Sequence, residues 1–258
     1  MRYALGALAL AIASIPANAA PAGPDPKPTI ILLHGAFAES SSWNGVTARL
    51  KRDGYAVIAA ANPLRGVQSD AASLSSLIRS IQGRVILVGH SYGGPVISEA
   101  ANNKANVMAL VYVAGFLPLP GESSASLSKQ FPGSTLGDVL KPVALADGDE
   151  DLFIDPAKFR AQFAADVPAA QTALMAATQR PVLLSALAEP SRTASWQSLP
   201  TYVIYGSADR NIPAAAMEFM AYRANARHIV RVNGASHAVM VSHPAEVAAL
   251  IEEAAASR

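Results

Sequence analysis

The chain is expected to fold as an α/β protein, a mostly parallel central sheet with helices on both faces. Three observations carry that expectation. Six short apolar runs alternate with helix-like segments along the chain. Each run is apolar almost without interruption, the pattern of a strand buried on both faces rather than on one. The length of 258 residues, 51% of them hydrophobic, suffices for one full-sized core, and α/β folds of this size are usually single domains.

Taken in order, strands are predicted near 29–33, 55–60, 84–88, 107–113, 201–205 and 228–232. Helices are predicted near 41–53, 69–81, 93–103, 214–223 and 244–256. Thr29-Ile30-Ile31-Leu32-Leu33 opens the series, and Gly54 stops the first helix at its C-terminus. Pro244 and Glu246 start the last helix, proline in its first turn and an acid near its positive end. One interval breaks the rhythm. From Phe116 to Leu199 no strand of the core type occurs, and the text reads as Ala-, Leu- and Phe-rich helix with loops. An insertion of that size between core strands is expected to be a helical cap, at about 116–199, lying over the strand ends.

The N-terminus has a separate organisation. Met1-Arg2 is a short basic start, Ala4 to Ile15 carries no charge, and Ala17-Asn18-Ala19 has the small-x-small form of a cleavage site. This layout predicts a secretory signal peptide over 1–19 and a mature chain from near Ala20, periplasmic or secreted. The apolar run is too short for a permanent membrane anchor. A Pro-rich spacer over 20–28 follows, and a single domain is expected over 29–258.

Composition excludes several classes of function. A formal net charge of +1 and only 15% charged residues leave no basic face for nucleic acid. The absence of cysteine rules out disulfides and lipid attachment through a processed cysteine. No pair of histidines shows metal-ligand spacing with a nearby carboxylate on one helix face, so no metal site is expected. Asp147-Gly148-Asp149-Glu150-Asp151 fails the calcium-loop pattern, because Leu152 stands where the turn glycine belongs; it reads as a solvated acidic turn.

Gly89-His90-Ser91-Tyr92-Gly93 is the most informative motif. It reads G-x-S-x-G, follows the apolar run Val85-Ile86-Leu87-Val88 and leads directly into a helix-like stretch. A serine hydroxyl becomes a useful nucleophile only when its position is fixed and a base takes its proton. A sharp strand-to-helix turn does the positioning, and Gly89, Gly93 and Gly94 supply room for it. The expected partners follow in the order acid, then histidine. Thr201 to Tyr205 reads as a strand running into Gly206-Ser207-Ala208-Asp209, and the strand His228 to Val232 runs into Asn233-Gly234-Ala235-Ser236-His237. In a parallel sheet these strand ends share one edge, where sites on open α/β sheets collect. Upstream, the first strand ends in His34-Gly35-Ala36-Phe37, so the backbone N–H groups of Ala36 and Tyr92 are assigned to an oxyanion hole.

Ile31 to Ala36, Gly89 to Gly94 and Gly234 to Pro244, together with Asp209, resemble the serine α/β-hydrolases over roughly residues 29 to 255. Within them the chain is most similar to the small-esterase branch that holds methylesterases and hydroxynitrile lyases. The resemblance implies the α/β-hydrolase fold with a cap, a Ser-His-Asp triad of Ser91, His237 and Asp209, and no cofactor. Two departures stand out. Ala238 follows the base histidine where the lyases carry lysine, which argues against cyanohydrin cleavage. Asn62-Pro63 stands where many members have Asp-Pro.

The remaining histidines have structural readings. His34 is expected to hold its own turn, His90 to point away from Ser91, and His228 to open a strand. His243 rivals His237 as base but lies at a helix start, where capping is the ordinary role. Phe131, Leu140, Phe153, Phe159, Phe163, Met175, Leu184 and Trp196 are candidates for an apolar pocket, though each taken singly is expected to pack the cap. The resulting expectation is an exported hydrolase of small to medium hydrophobic carboxylic esters, acting on a small-molecule ester through an acyl-enzyme. Two alternatives stay open, a cofactor-free perhydrolase or haloperoxidase-like activity and a non-catalytic protein that binds an apolar ligand.

Overall fold

Strand burial sets the architecture of the computed structural model, which describes residues 26–257. The core begins with β1 (Thr29–Leu33), α1 (Asn44–Arg52), β2 (Val57–Ala60), α2 (Val67–Ser80), β3 (Val85–His90), α3 (Gly93–Ala100) and β4 (Val107–Val113). An insertion follows, with α4 (Ser124–Gln130), β5 (Leu140–Ala144), β6 (Glu150–Ile154), α5 (Pro156–Phe163), α6 (Ala169–Thr178), β7 (Val182–Leu183) and α7 (Leu184–Ala188). The core then resumes with β8 (Thr201–Gly206), α8 (Ala214–Arg223), β9 (His228–Val232), α9 (Val239–Ser242) and α10 (Pro244–Ala256). The predicted signal peptide and most of the Pro-rich spacer lie outside the described residues.

Six strands form one parallel sheet in the order β2-β1-β3-β4-β8-β9. Every residue of β3 and β8 is buried, whereas β2 and β9 at the two edges are partly open. The chain runs outward from β1 to β2 and then crosses to β3 on the other side of β1. That reversal makes the gap between β1 and β3 the switch point, where the strand ends splay and sites form. It also separates the helices: α1 packs with α10, and α2 packs with α3. In α10 the buried residues Val247, Leu250, Ile251 and Ala254 fall at helical spacing and form the stripe laid on the sheet.

The insertion between β4 and β8 differs from the purely helical cap expected. It holds a three-stranded antiparallel sheet, β5-β6-β7, beside its helices. Most of β5 is solvent-exposed and contains Pro142, which an edge strand tolerates because its N–H side need not be paired. The acidic run is the tip of the β5–β6 hairpin. Leu145 N–H donates to Asp149 O at 2.9 Å, and Gly148 takes the left-handed conformation the turn requires, φ = 89°. Asp149 is held by the Ser185 hydroxyl.

Candidate active site

Ser91 sits at the end of β3 with φ = 53°, a region that a serine occupies only when its surroundings hold it there. Two short backbone links do so: Ser91 N–H donates to Val113 O at 3.2 Å, and Gly94 N–H donates to Ser91 O at 2.9 Å. Small neighbours are obligatory. A Cβ at Gly89 would lie 2.6 Å from Gly93 O, and one at Gly35 would lie 2.6 Å from both His90 O and the Ser91 Cβ. The register pairs Leu33 with Gly89, so the loop after β1 stands directly beside the serine turn.

That loop is clasped from behind. Asn62 N–H donates to His34 Nε2 at 3.0 Å, the Asn62 amide donates to His34 O at 2.9 Å, and the other ring nitrogen donates to Gly35 O at 2.9 Å. Burial holds the His34 imidazole neutral, lowering its pKa from 6.5 to about 4. The Phe37 N–H is spent on Arg180 O at 3.0 Å, whereas the Ala36 and Tyr92 N–H groups take no backbone acceptor among the described residues. Tyr92 is anchored through its hydroxyl, which donates to buried Asp70 at 3.0 Å.

Asp209 and His237 leave the ends of β8 and β9 and meet. His237 Nδ1 donates to Asp209 Oδ2 at 2.6 Å, with the two side chains 1% and 0% exposed. The other carboxylate oxygen accepts from Asn211 N–H at 2.7 Å and Ile212 N–H at 2.9 Å. Three donors fix the carboxylate, and the carboxylate fixes the imidazole tautomer, leaving the lone pair on Nε2. Nε2 is buried and makes no hydrogen bond, so the link to the Ser91 hydroxyl is open in this geometry. Such links tighten when substrate arrives.

The base loop is fastened at three points. Ala208 N–H donates to Ala235 O at 3.0 Å, which joins the acid turn to the base loop. Ala238 N–H donates to Phe163 O of the cap at 3.1 Å. His90 Nε2 donates to His237 O at 3.1 Å; burial drives the His90 pKa well below the ordinary value, so this ring stays neutral. The His90 ring is thus spent on the His237 backbone and packs between Trp43 and Phe163. His243 occupies the N-terminal position of α10 but its side chain makes no capping bond. Its ring meets the Ser242 hydroxyl at 2.9 Å and lies 3.7 Å from Asp166.

A cavity of about 300 Å³ opens over Ser91. Its apolar walls include Phe37, Phe116, Leu136, Leu140, Leu187 and Ile212. Of the eight cap residues expected as candidates, Leu140 alone lines it; Phe159 and Phe163 are wholly buried, and Trp196 donates its indole N–H to Pro118 O at 2.9 Å. The sequence reading missed a polar share of the lining, Ser124, Ser128, Lys129, Ser134 and Asn211. Only Asn211 had a signal, its place two residues after Asp209. Among the described residues no cluster of three or more metal-ligating side chains occurs, and no helix is long and apolar enough to cross a membrane.

Known proteins resemble the chain along most of its length. The chain is 26% identical over 255 residues to a pimeloyl-[acyl-carrier protein] methyl ester esterase of Aromatoleum aromaticum, covering 88% of this chain and 98% of that one. It is 24% identical over 248 residues to a putative chloroplastic methylesterase of Arabidopsis thaliana, covering 87% of this chain and 63% of that one. Among solved structures, polyneuridine aldehyde esterase superposes with a TM-score of 0.77 at 18% identity, over 88% of this chain and 99% of that one. With a family model matching residues 30–250 in addition, the chain belongs to the alpha/beta hydrolase family, and its similarities lie among the small esterases and methylesterases.

Proposed function

We propose that the chain is an exported carboxylic ester hydrolase working through Ser91, His237 and Asp209. The observation that carries this reading is the buried 2.6 Å Asp209–His237 pair, set at the same edge of the parallel sheet as the strained Ser91, which lines a cavity with apolar walls. A protein that only binds an apolar ligand has no use for a buried imidazole held by a carboxylate and left with a free lone pair. The similarity to named esterases supports the same reaction class.

Ser91 Oγ attacks the ester carbonyl, and His237 Nε2 takes the hydroxyl proton. Asp209, its charge already satisfied by two N–H donors, holds the ring in place and stabilises the imidazolium that forms. The N–H groups of Ala36 and Tyr92, neither spent on a backbone acceptor among the described residues, receive the oxyanion. His237 then gives its proton to the leaving alcohol, and water cleaves the acyl-enzyme by the same proton path in reverse.

The test is a series of p-nitrophenyl esters of rising acyl length, followed with wild-type protein and with Ser91→Ala. Hydrolysis by the wild type and stoichiometric acyl transfer to Ser91 are expected. Turnover that persists in Ser91→Ala would remove the assignment.

A further inference from the structure

Asn211 is the one buried amide in the lining of the cavity, and its orientation is determined rather than free. Gln162 Nε2 donates to Arg210 O at 2.9 Å. A backbone carbonyl can only accept, so that end of the Gln162 amide is its nitrogen. The same Nε2 donates to the Asn211 side chain at 2.9 Å, which must therefore present its oxygen to Gln162. The Gln162 oxygen in turn accepts from the Thr135 hydroxyl at 2.8 Å, completing its own set. Asn211 is left with its NH₂ group on the other side. That group finds no acceptor among the described residues, and it is not sealed from the cavity that Asn211 lines.

We infer that Asn211 determines specificity, its NH₂ group donating to a second, uncharged oxygen acceptor carried by an ester in the cavity. This rests on the esterase reading and narrows it to a substrate class. A donor in an apolar wall discriminates because a purely hydrocarbon substrate leaves it unpaired, whereas an ether or keto oxygen satisfies it. The oxygen is uncharged because the Asp209 carboxylate stands directly behind, holding the Asn211 N–H at 2.7 Å. An anion there would meet a like charge. The exposed Lys129, at the cavity's edge, is the place for a negative group.

The experiment compares straight-chain esters with isosteres in which one methylene is replaced by an ether oxygen. The replacement is moved along the acyl chain in one series and along the alcohol chain in another. kcat/KM is divided by the rate of hydroxide-catalysed hydrolysis to remove intrinsic reactivity. In the wild type one position is expected to favour oxygen over methylene by about tenfold relative to the other positions, the worth of one neutral hydrogen bond. Asn211→Leu removes the donor and should level that position with the rest. Asn211→Asp keeps the shape and the bond from Gln162 but puts an oxygen where the NH₂ stood, and should turn the preference against the ether. Normal turnover with no preferred position overturns the inference alone, as does a preference that survives both substitutions. Failure of the wild type to hydrolyse any member overturns the esterase reading as well.

Discussion

His90 Nε2 donates to the backbone oxygen of His237 across 3.1 Å, and the two rings lie 4.7 Å apart. The residue before the proposed nucleophile therefore holds the main chain of the proposed base. The two join elements 147 residues apart in sequence. Replacing His90 by phenylalanine keeps a ring in contact with Trp43 and Phe163 but removes the donor. kcat is expected to fall by about 10- to 100-fold, the cost of a base displaced by an ångström or less, while KM changes little. Steady-state kinetics on one p-nitrophenyl ester measures both, and an unchanged kcat would make the bond incidental.

Removal of a triad member is expected to be far more severe. Ser91→Ala and His237→Ala should each lower kcat by about 10⁴- to 10⁶-fold. His243→Ala should keep most of its turnover, because that ring faces Ser242 and Asp166 and takes no part in the Asp209–His237 pair. A dead His243→Ala enzyme beside an active His237→Ala enzyme would reverse the assignment of the base.

Stability should depend on pH through two buried neutral imidazoles. The folded-state pKa of His34 is about 4 and that of His90 is also lowered, whereas both titrate near 6.5 in the unfolded chain. Between pH 4 and 6.5 the unfolded chain binds protons that the folded chain refuses. Stability is therefore full above pH 6.5 and falls as pH drops towards 4. The loss is about 1.4 kcal/mol per pH unit from His34 alone. Urea unfolding at pH 4.5, 5.5, 6.5 and 7.5 should show this slope, and His34→Gln should flatten it by about one proton. Identical slopes in the two proteins would show that His34 is not the group involved.

Export is open to direct measurement. Protein recovered from periplasm or medium should begin at or next to Ala20, after the Ala17-Asn18-Ala19 site. N-terminal sequencing that finds Met1 intact would count against it.

The core was legible in the sequence because strands covered on both faces print continuous apolar runs. All six core strands lie where those runs predict, within about two residues. The meeting of Asp209 with His237 was legible for a related reason, since each follows such a run closely. The strands β5 to β7 left no comparable trace. They are short, β5 is mostly exposed, and its proline argues against a strand when read alone. The cavity wall was the least legible part. Large aromatics of the cap pack inward, and smaller residues of α4 and of the loop after β8 face the space instead. Asn211 takes its meaning from Gln162, 49 residues earlier on α5, and no local pattern announces a pairing at that distance.

The bond from Ala238 N–H to Phe163 O works as an interlock. Phe163 ends α5 in the cap and also sets its ring edge-on to His237, 5.1 Å away. Lifting the cap at this point would break the bond and strip the base of its packing at once. One cap residue thus fastens the His237 loop twice over, its main chain through the Ala238 bond and its imidazole through the ring contact.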